Sequence, residues 1–229
     1  MAPDRIRLAA FDCDGTLVDS QHAILEAMSA AFAAEGLAAP LPDAVRRVIG
    51  LPLLECATRL APDGDAACWD RLCEAYKAAF FAQRQRPDHH EPLFDGVREA
   101  LDALEAEGWL IGIATGKAKR GLLAVLERHG LEKRFITLQC GDMGPGKPHP
   151  AMLERAMAET GAAALDTVMI GDTTFDMLMA RSARVHSVGV EWGYHPPDEL
   201  RRAGAHALVT AFAQVPEAVF RCGRRETCA

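Results

Sequence analysis

The chain has 229 residues, carries a formal net charge of −7, and is 49% hydrophobic and 6% aromatic. That is globular composition, enough for one substantial core or a core with a small satellite; its acidic balance gives no footprint for nucleic acid, no apolar run is long enough to cross a membrane, and MAPDRIRL lacks the apolar stretch of a secretory signal. Seven cysteines, at 13, 56, 68, 73, 140, 222 and 228, form an odd set without paired short spacing, so reduced thiols in a cytoplasmic protein are expected rather than a disulfide scaffold or zinc ribbon.

The first strand candidate, residues 6–11, runs into FDCDGTLVDS. About a hundred residues then separate it from the next strand candidate, where one crossover needs only ~30. The surplus reads as helices, with Ile24, Met28, Ala31 and Phe32 before Gly36, then Trp69, Leu72, Cys73, Tyr76 and Phe80 at helical spacing. Proline-rich punctuation (AAPLP, RLAPDG, RPDHHEP) divides them, and residues 18–92 read as an inserted all-helical domain. Beyond it, strands are predicted at 110–114, 135–139, 167–170, 185–190 and 207–210. Helical patterns between them stop at Gly108, Gly130 and Gly161, each suited to a left-handed end. Strand–helix alternation of this kind predicts an α/β fold, a parallel sheet covered by helices on both faces, built from residues 1–17 and 93–229. The short basic RCGRRE near the end reads as a solvated tail.

Asp12 and Asp14 stand two apart at the C-terminal end of the first strand, the edge where open parallel sheets bind ligands. Carboxylates this close repel unless a cation or a shared proton intervenes, and a hard divalent ion such as Mg²⁺ suits oxygen ligands. An acidic turn capping a helix reads the same way locally; a calcium loop does not, because the rest of an EF-hand is missing. Cys13 between the two acids points away from both in an extended strand and reads as core packing. Three later strand ends add partners. IGIATGK supplies the Thr115 hydroxyl and N–H groups of Gly116 and Lys117 at an expected helix start, fit to hold an anion, or simply a helix cap. GPGKPHP fixes Lys147 in a stiff loop. VMIGDTTFDM places Asp172 at a strand end as a third acid for a metal, and Asp176 four residues on, to orient Lys147 or a metal-bound water, or to stabilise a helix N-terminus. Acids, anion holder, cation and metal ligand together suit phosphoryl transfer.

In that order, FDCDGTLVDS, ATGK, GKPHP and GDTTFDM resemble the four motifs of the haloacid dehalogenase-like hydrolase superfamily, and the helical insert resembles the subfamily with a small helical cap, typified by phosphoglycolate phosphatases. The resemblance covers nearly the whole chain and implies a Rossmann-like catalytic core with an inserted cap, and a Mg²⁺-dependent phosphatase of small phosphorylated metabolites. It implies Asp12 as the nucleophile that becomes an aspartyl-phosphate, Asp14 as the acid and base, Thr115 and Gly116 with Lys147 as phosphate holders, and Mg²⁺ on Asp12, the Asp14 backbone carbonyl and Asp172. The second aspartate separates this pattern from dehalogenating and phosphonate-cleaving relatives, which lack it. A phosphomutase of the same fold shares all four motifs, whereas a non-catalytic binding protein would have lost some of them.

One departure concerns Ala183-Arg184, where the family often has Ala-Gly: arginine resists the left-handed conformation that ends such a helix. Residues 18–20 and 88–92 read as hinges of the cap. Arg46 and Arg47 are candidates for an anion on the leaving group or exposed helix arginines. His22, His89 and His90 are candidates for the cleft with the surface as the default expectation; His149 is expected at a helix start and Lys77 in solvent. Trp192 and Tyr194 either line the core side of the cleft or pack. No sequence feature marks an oligomeric interface.

Overall fold

Six parallel strands form one sheet in the order β3-β2-β1-β4-β5-β6: β1 (Arg7–Phe11), β2 (Trp109–Ala114), β3 (Thr137–Gln139), β4 (Thr167–Gly171), β5 (His186–Val190) and β6 (Ala207–Val209). This is a computed structural model in which residues 5–223 are described. The readings of the first four residues, of Cys228 and of the RCGRRE stretch beyond Gly223 fall outside them. All six predicted strands are present with ends that agree within two residues, the largest change being β3, which starts at Thr137 rather than at residue 135. Ile136 shows why: it is 63% exposed, so its apolar character does not mark core.

The central strands are buried along their length, as continuous apolar runs of parallel sheets must be when helices cover both faces. Alternation assigns each residue to a face. Ala9, Phe11, Ile111 and Ile113 pack with Leu101 and Leu104 of α5 (Val97–Ala106), Leu122 and Val125 of α6 (Lys119–His129) and Val215 and Val219 of α10 (Val215–Gly223). Ala10 and Met169 face the other way, against Leu153 of α7 (Ala151–Thr160) and Met179 of α8 (Thr174–Ala183). Helix α9 (Pro197–Ala203) precedes β6. Sequence order runs outward from β1 in one direction and from β4 in the other, so a crevice opens between the C-terminal ends of these two strands. Phe11 pairs with both Ile113 and Ile170, which puts Asp12 at the mouth of that crevice.

Four helices, α1 (Gln21–Ala34), α2 (Pro42–Arg46), α3 (Leu53–Leu60) and α4 (Ala66–Arg84), share a separate apolar cluster around Ile24, Met28, Phe32, Leu72 and Phe80 that includes no strand residue. The chain leaves and re-enters the sheet layer through adjoining segments. Asp19 N–H donates to the Pro92 carbonyl at 2.9 Å, Phe94 N–H to the Leu17 carbonyl at 3.0 Å, and Val18 bridges Leu93 in antiparallel fashion.

Gly130 and Gly161 end α6 and α7 in the left-handed conformation, at φ of 62° and 78°. Arg184 ends α8 in the same way, at φ 58° and ψ 33°, and is the one non-glycine residue with positive φ among those described. The departure at Ala183-Arg184 therefore does not change how the helix ends; the arginine accepts the geometry at a steric cost. Its side chain is exposed. Arg184→Gly is expected to stabilise the protein by about 1 kcal/mol, read as a higher urea midpoint at unchanged slope; an unchanged or lower midpoint contradicts this.

Candidate active site

Two aspartates at the end of β1 meet two different lysines. Asp12, 1% exposed, lies with its Oδ2 2.8 Å from Lys147 Nζ, while its Oδ1 accepts the Cys13 N–H at 2.6 Å. Asp14 points elsewhere: its Oδ1 accepts from Ser20 Oγ and from Lys117 Nζ, each at 2.7 Å. Each acid has its own counter-charge, so lysine cations already intervene between the pair. Gly15 makes the turn between them possible. Its φ is 81°, and a Cβ there would sit 2.4 Å from the Tyr194 ring and 2.5 Å from Asp172 Oδ2.

Asp172 and Asp176 approach from β4 and α8. Asp172 accepts from Thr16 Oγ1 at 2.7 Å and from the Tyr194 N–H at 2.9 Å. Asp176 closes a capping box with Thr173 at the start of α8 and also lies 2.6 Å from Lys147 Nζ. The helix-capping and the lysine-orienting readings of Asp176 are thus both true, one on each oxygen. Lys147, expected in a stiff loop, is fully buried between the two carboxylates. Thr115 and Gly116 sit past β2, with the Thr115 N–H on the Gln139 carbonyl and the Lys117 N–H on Thr115 Oγ1 at 3.2 Å. Helix α6 begins only at Lys119, so Thr115 to Lys117 form a loop rather than the helix start predicted. A Cβ at Gly116 would meet the Gly50 carbonyl at 2.6 Å, so this loop lies directly under the 50–51 turn that follows α2. Asp12, Asp14, Thr115, Gly116 and Lys117 share a cleft of about 670 Å³ with residues of α1 to α4.

A family model described as haloacid dehalogenase-like hydrolase matches residues 9–190. The chain belongs to that family. It is 37% identical over 215 residues to "Probable phosphatase IndB" of Dickeya dadantii, covering 91% of each chain. It is 31% identical to the phosphoglycolate phosphatase of Agrobacterium fabrum, over 93% of this chain and 92% of that one. Among solved structures, a hydrolase from Pseudomonas syringae superposes with a TM-score of 0.81 at 27% identity, over 95% of this chain and 99% of that one. These similarities place this haloacid dehalogenase-like hydrolase among phosphatases.

The electrostatics of its acid cluster suit a metal. Carboxylate oxygens of Asp12, Asp172 and Asp176 all lie within 4.8 Å of one another, with one ammonium among them. Burial pushes the Asp12 carboxyl up to about 7, with Lys147 pulling it back and Asp176 adding to the rise. Burial likewise drives Asp172 well above the ordinary carboxylate range, reinforced by Asp12 and Asp176. Burial alone would lower Lys147, but Asp12 and Asp176 outweigh it and hold the ammonium charged. Three buried acids against one cation leave excess negative charge that protons or a divalent ion must offset, and an all-oxygen donor set fits a hard one. The buried Cys13 thiol is pushed far up by the same desolvation and packs into the core, so it is no nucleophile.

Several residues that mattered carried little signal. Glu91, 2% exposed, lies 3.6 Å from Lys117 Nζ, 3.4 Å from Arg84 and 2.8 Å from His89 Nε2. Burial raises its carboxyl, yet Lys117, Arg84 and His89 together hold it below the ordinary range. His89, expected at the surface, has a side chain only 4% exposed because Glu91 holds it. The other expectations sort simply. Arg46 binds Gln21 and Asp43, and Arg47 grips Glu199 of α9 through two hydrogen bonds at 2.7 and 2.9 Å; neither is among the residues that line the cleft. Lys77 pairs with Glu74 on an exposed face of α4. His22 and His90 are exposed, and His149 Nδ1 accepts the Ala151 N–H at the start of α7. Trp192 packs between Phe94 and Phe212, whereas Tyr194 reaches the site through Asp172 and lies 3.4 Å from Ser20 Oγ.

Asp12 also fixes a pH dependence. With its carboxyl raised from 3.8 to about 7, the metal-free native state keeps a proton that the unfolded chain has already released. The stability this contributes is present below about pH 4 and is lost as pH rises to about 7. In chelator-treated protein, Asp12→Asn is therefore expected to raise the thermal midpoint at pH 8 and to raise it less at pH 5; a difference independent of pH contradicts this. Glu91→Gln, which leaves Arg84 without its carboxylate partner and removes the second acid facing Lys117, is expected to cost about 3 kcal/mol in urea denaturation, and a cost under about 1 kcal/mol would show the network is not held by that charge.

Proposed function

We propose that this protein is a Mg²⁺-dependent phosphatase of small phosphomonoesters, working through an aspartyl-phosphate on Asp12. The observation that carries this reading is the division of partners: Asp12 against Lys147 and the acid cluster, Asp14 against Lys117 and Ser20, both on the floor of one cleft. The similarity to a phosphoglycolate phosphatase supports a small phosphorylated metabolite as substrate.

Asp12 attacks phosphorus, the ester P–O bond breaks, and the leaving alkoxide takes a proton from Asp14. Ser20 and Lys117 both engage Oδ1 of Asp14, which leaves Oδ2 to carry that proton. A water then attacks phosphorus and gives its proton to Asp14, releasing phosphate and restoring the Asp12 carboxylate. The Thr115 hydroxyl and the Gly116 N–H bind phosphoryl oxygens, and Lys147 offsets their charge while Asp176 holds it in place. The Asp12 and Asp172 carboxylates and the Asp14 carbonyl would hold Mg²⁺, which would supply the further positive charge that an anionic nucleophile needs beside a phosphate dianion. Residues 18–92 act as a cap hinged at 18–20 and 88–92, closing the cleft against water, on a core of 1–17 and 93–229. The six described cysteines are unpaired, which supports a reducing, cytoplasmic setting.

Purified protein with Mg²⁺ is expected to release phosphate from an aryl phosphate, and Asp12→Asn or a chelator to lower that rate by about a thousandfold. Wild-type turnover by Asp12→Asn removes the nucleophile from this scheme. Phosphoryl transfer to a sugar hydroxyl without net phosphate release points instead to a phosphomutase.

A further inference from the structure

The cleft above Asp14 is far larger than a two-carbon acid needs. Its volume of about 670 Å³ lies in the range of sites for whole ring-bearing metabolites. Ile24, Met28 and Ile49 line one side, and Tyr76 and Phe80, one helical turn apart on α4, line another with ring centroids 5.7 Å apart. Phe80 stands beside the acid itself, its ring 5.1 Å from the Lys117 ammonium that pairs with Asp14. Burial keeps the Tyr76 phenol neutral.

The charges nearest Asp14 offset one another, while Asp70 and Asp142 add further acid to the lining. Lys77 is taken by Glu74, and Arg120 lies at the exposed rim over Phe81. Arg84 and Lys117 face Glu91 and Asp14, two positive charges against two negative ones. A carboxylate on the leaving group would enter that balance as an uncompensated charge. One donor is nevertheless unused: Arg84 Nη2 is buried without a hydrogen-bond partner, while its guanidinium lies 4.7 Å over the Phe80 ring. Such a donor beside two rings suits a flat group bearing an uncharged acceptor, a carbonyl or ring heteroatom.

Resting on the phosphatase reading, we infer that this cleft selects phosphomonoesters whose leaving group is uncharged and carries a planar ring, seated on Tyr76 and Phe80 with Arg84 Nη2 as donor, and that it disfavours small carboxylated esters such as phosphoglycolate. The test compares kcat/KM for 2-phenylethyl phosphate, ethyl phosphate and phosphoglycolate. All three are esters of primary alcohols, so differences report chiefly the leaving-group pocket. The ring-bearing ester is expected to lead by about tenfold or more, and Tyr76→Ala to shrink the lead toward parity while Tyr76→Phe keeps it. Product inhibition needs no variant: 2-phenylethanol is expected to inhibit at about tenfold lower concentration than glycolate. Equal or faster turnover of phosphoglycolate or ethyl phosphate overturns the inference and leaves the phosphatase reading intact, as does a lead that Tyr76→Ala, still folded by its melting curve, does not change. Failure to release phosphate from any ester, p-nitrophenyl phosphate included, overturns the phosphatase reading and this inference with it.

Discussion

Three carboxylates are buried at the end of β1 and the start of α8 within 4.8 Å of one another, and Lys147 is the one ammonium placed between two of them. Burying charge costs several kcal/mol per ion even after relaxation, and one cation among three acids does not offset it. The fold tolerates this because each acid is pinned by its own element: Asp12 by β1, Asp172 by the end of β4, Asp176 by the capping box of α8. The parallel pairing of β1 with β4 brings the acids together, and their mutual repulsion makes the position poised for a cation. Stability and function oppose each other here, as they do where a site stores electrostatic strain for chemistry.

The second acid belongs to a different circuit. Asp14 joins Lys117, Glu91 and Arg84 in a chain of alternating charge that runs from β1 through the loop after β2 to the end of α4. Two of its members come from the segments that connect the helical layer to the sheet. Separating the aspartates onto different lysines gives each a distinct environment, which is how two chemically identical groups come to hold different roles. Asp14, Lys117 and Arg84 of this chain line the cleft, so the charge that positions Asp14 also sets what kind of leaving group is comfortable beside it.

Much of this was legible in the amino-acid sequence. The strands could be read because buried parallel strands are unbroken apolar runs, and Gly130 and Gly161 mark helix ends that only a left-handed residue completes. Asp12, Asp14, Thr115, Lys147, Asp172 and Asp176 all meet at one sheet edge because each follows a strand's C-terminal end, directly or within the loop or helix start beyond it. What could not be read were pairings set by tertiary distance alone. Lys117 reaches Asp14 across 103 positions, and nothing in RPDHHEP distinguishes Glu91 and His89 from a solvated hinge. Arg184 shows the opposite failure, since local preference argues against the left-handed conformation that this residue adopts at the end of α8.

The central claim is that Asp12 itself carries the phosphoryl group between substrate and water. Quenching turnover with borohydride, which reduces an acyl phosphate to the alcohol, and mapping peptides by mass spectrometry tests it directly. The account predicts homoserine at position 12 only when a phosphomonoester and Mg²⁺ are present. Reduction at Asp14, or an unmodified Asp12 during active turnover, would contradict it.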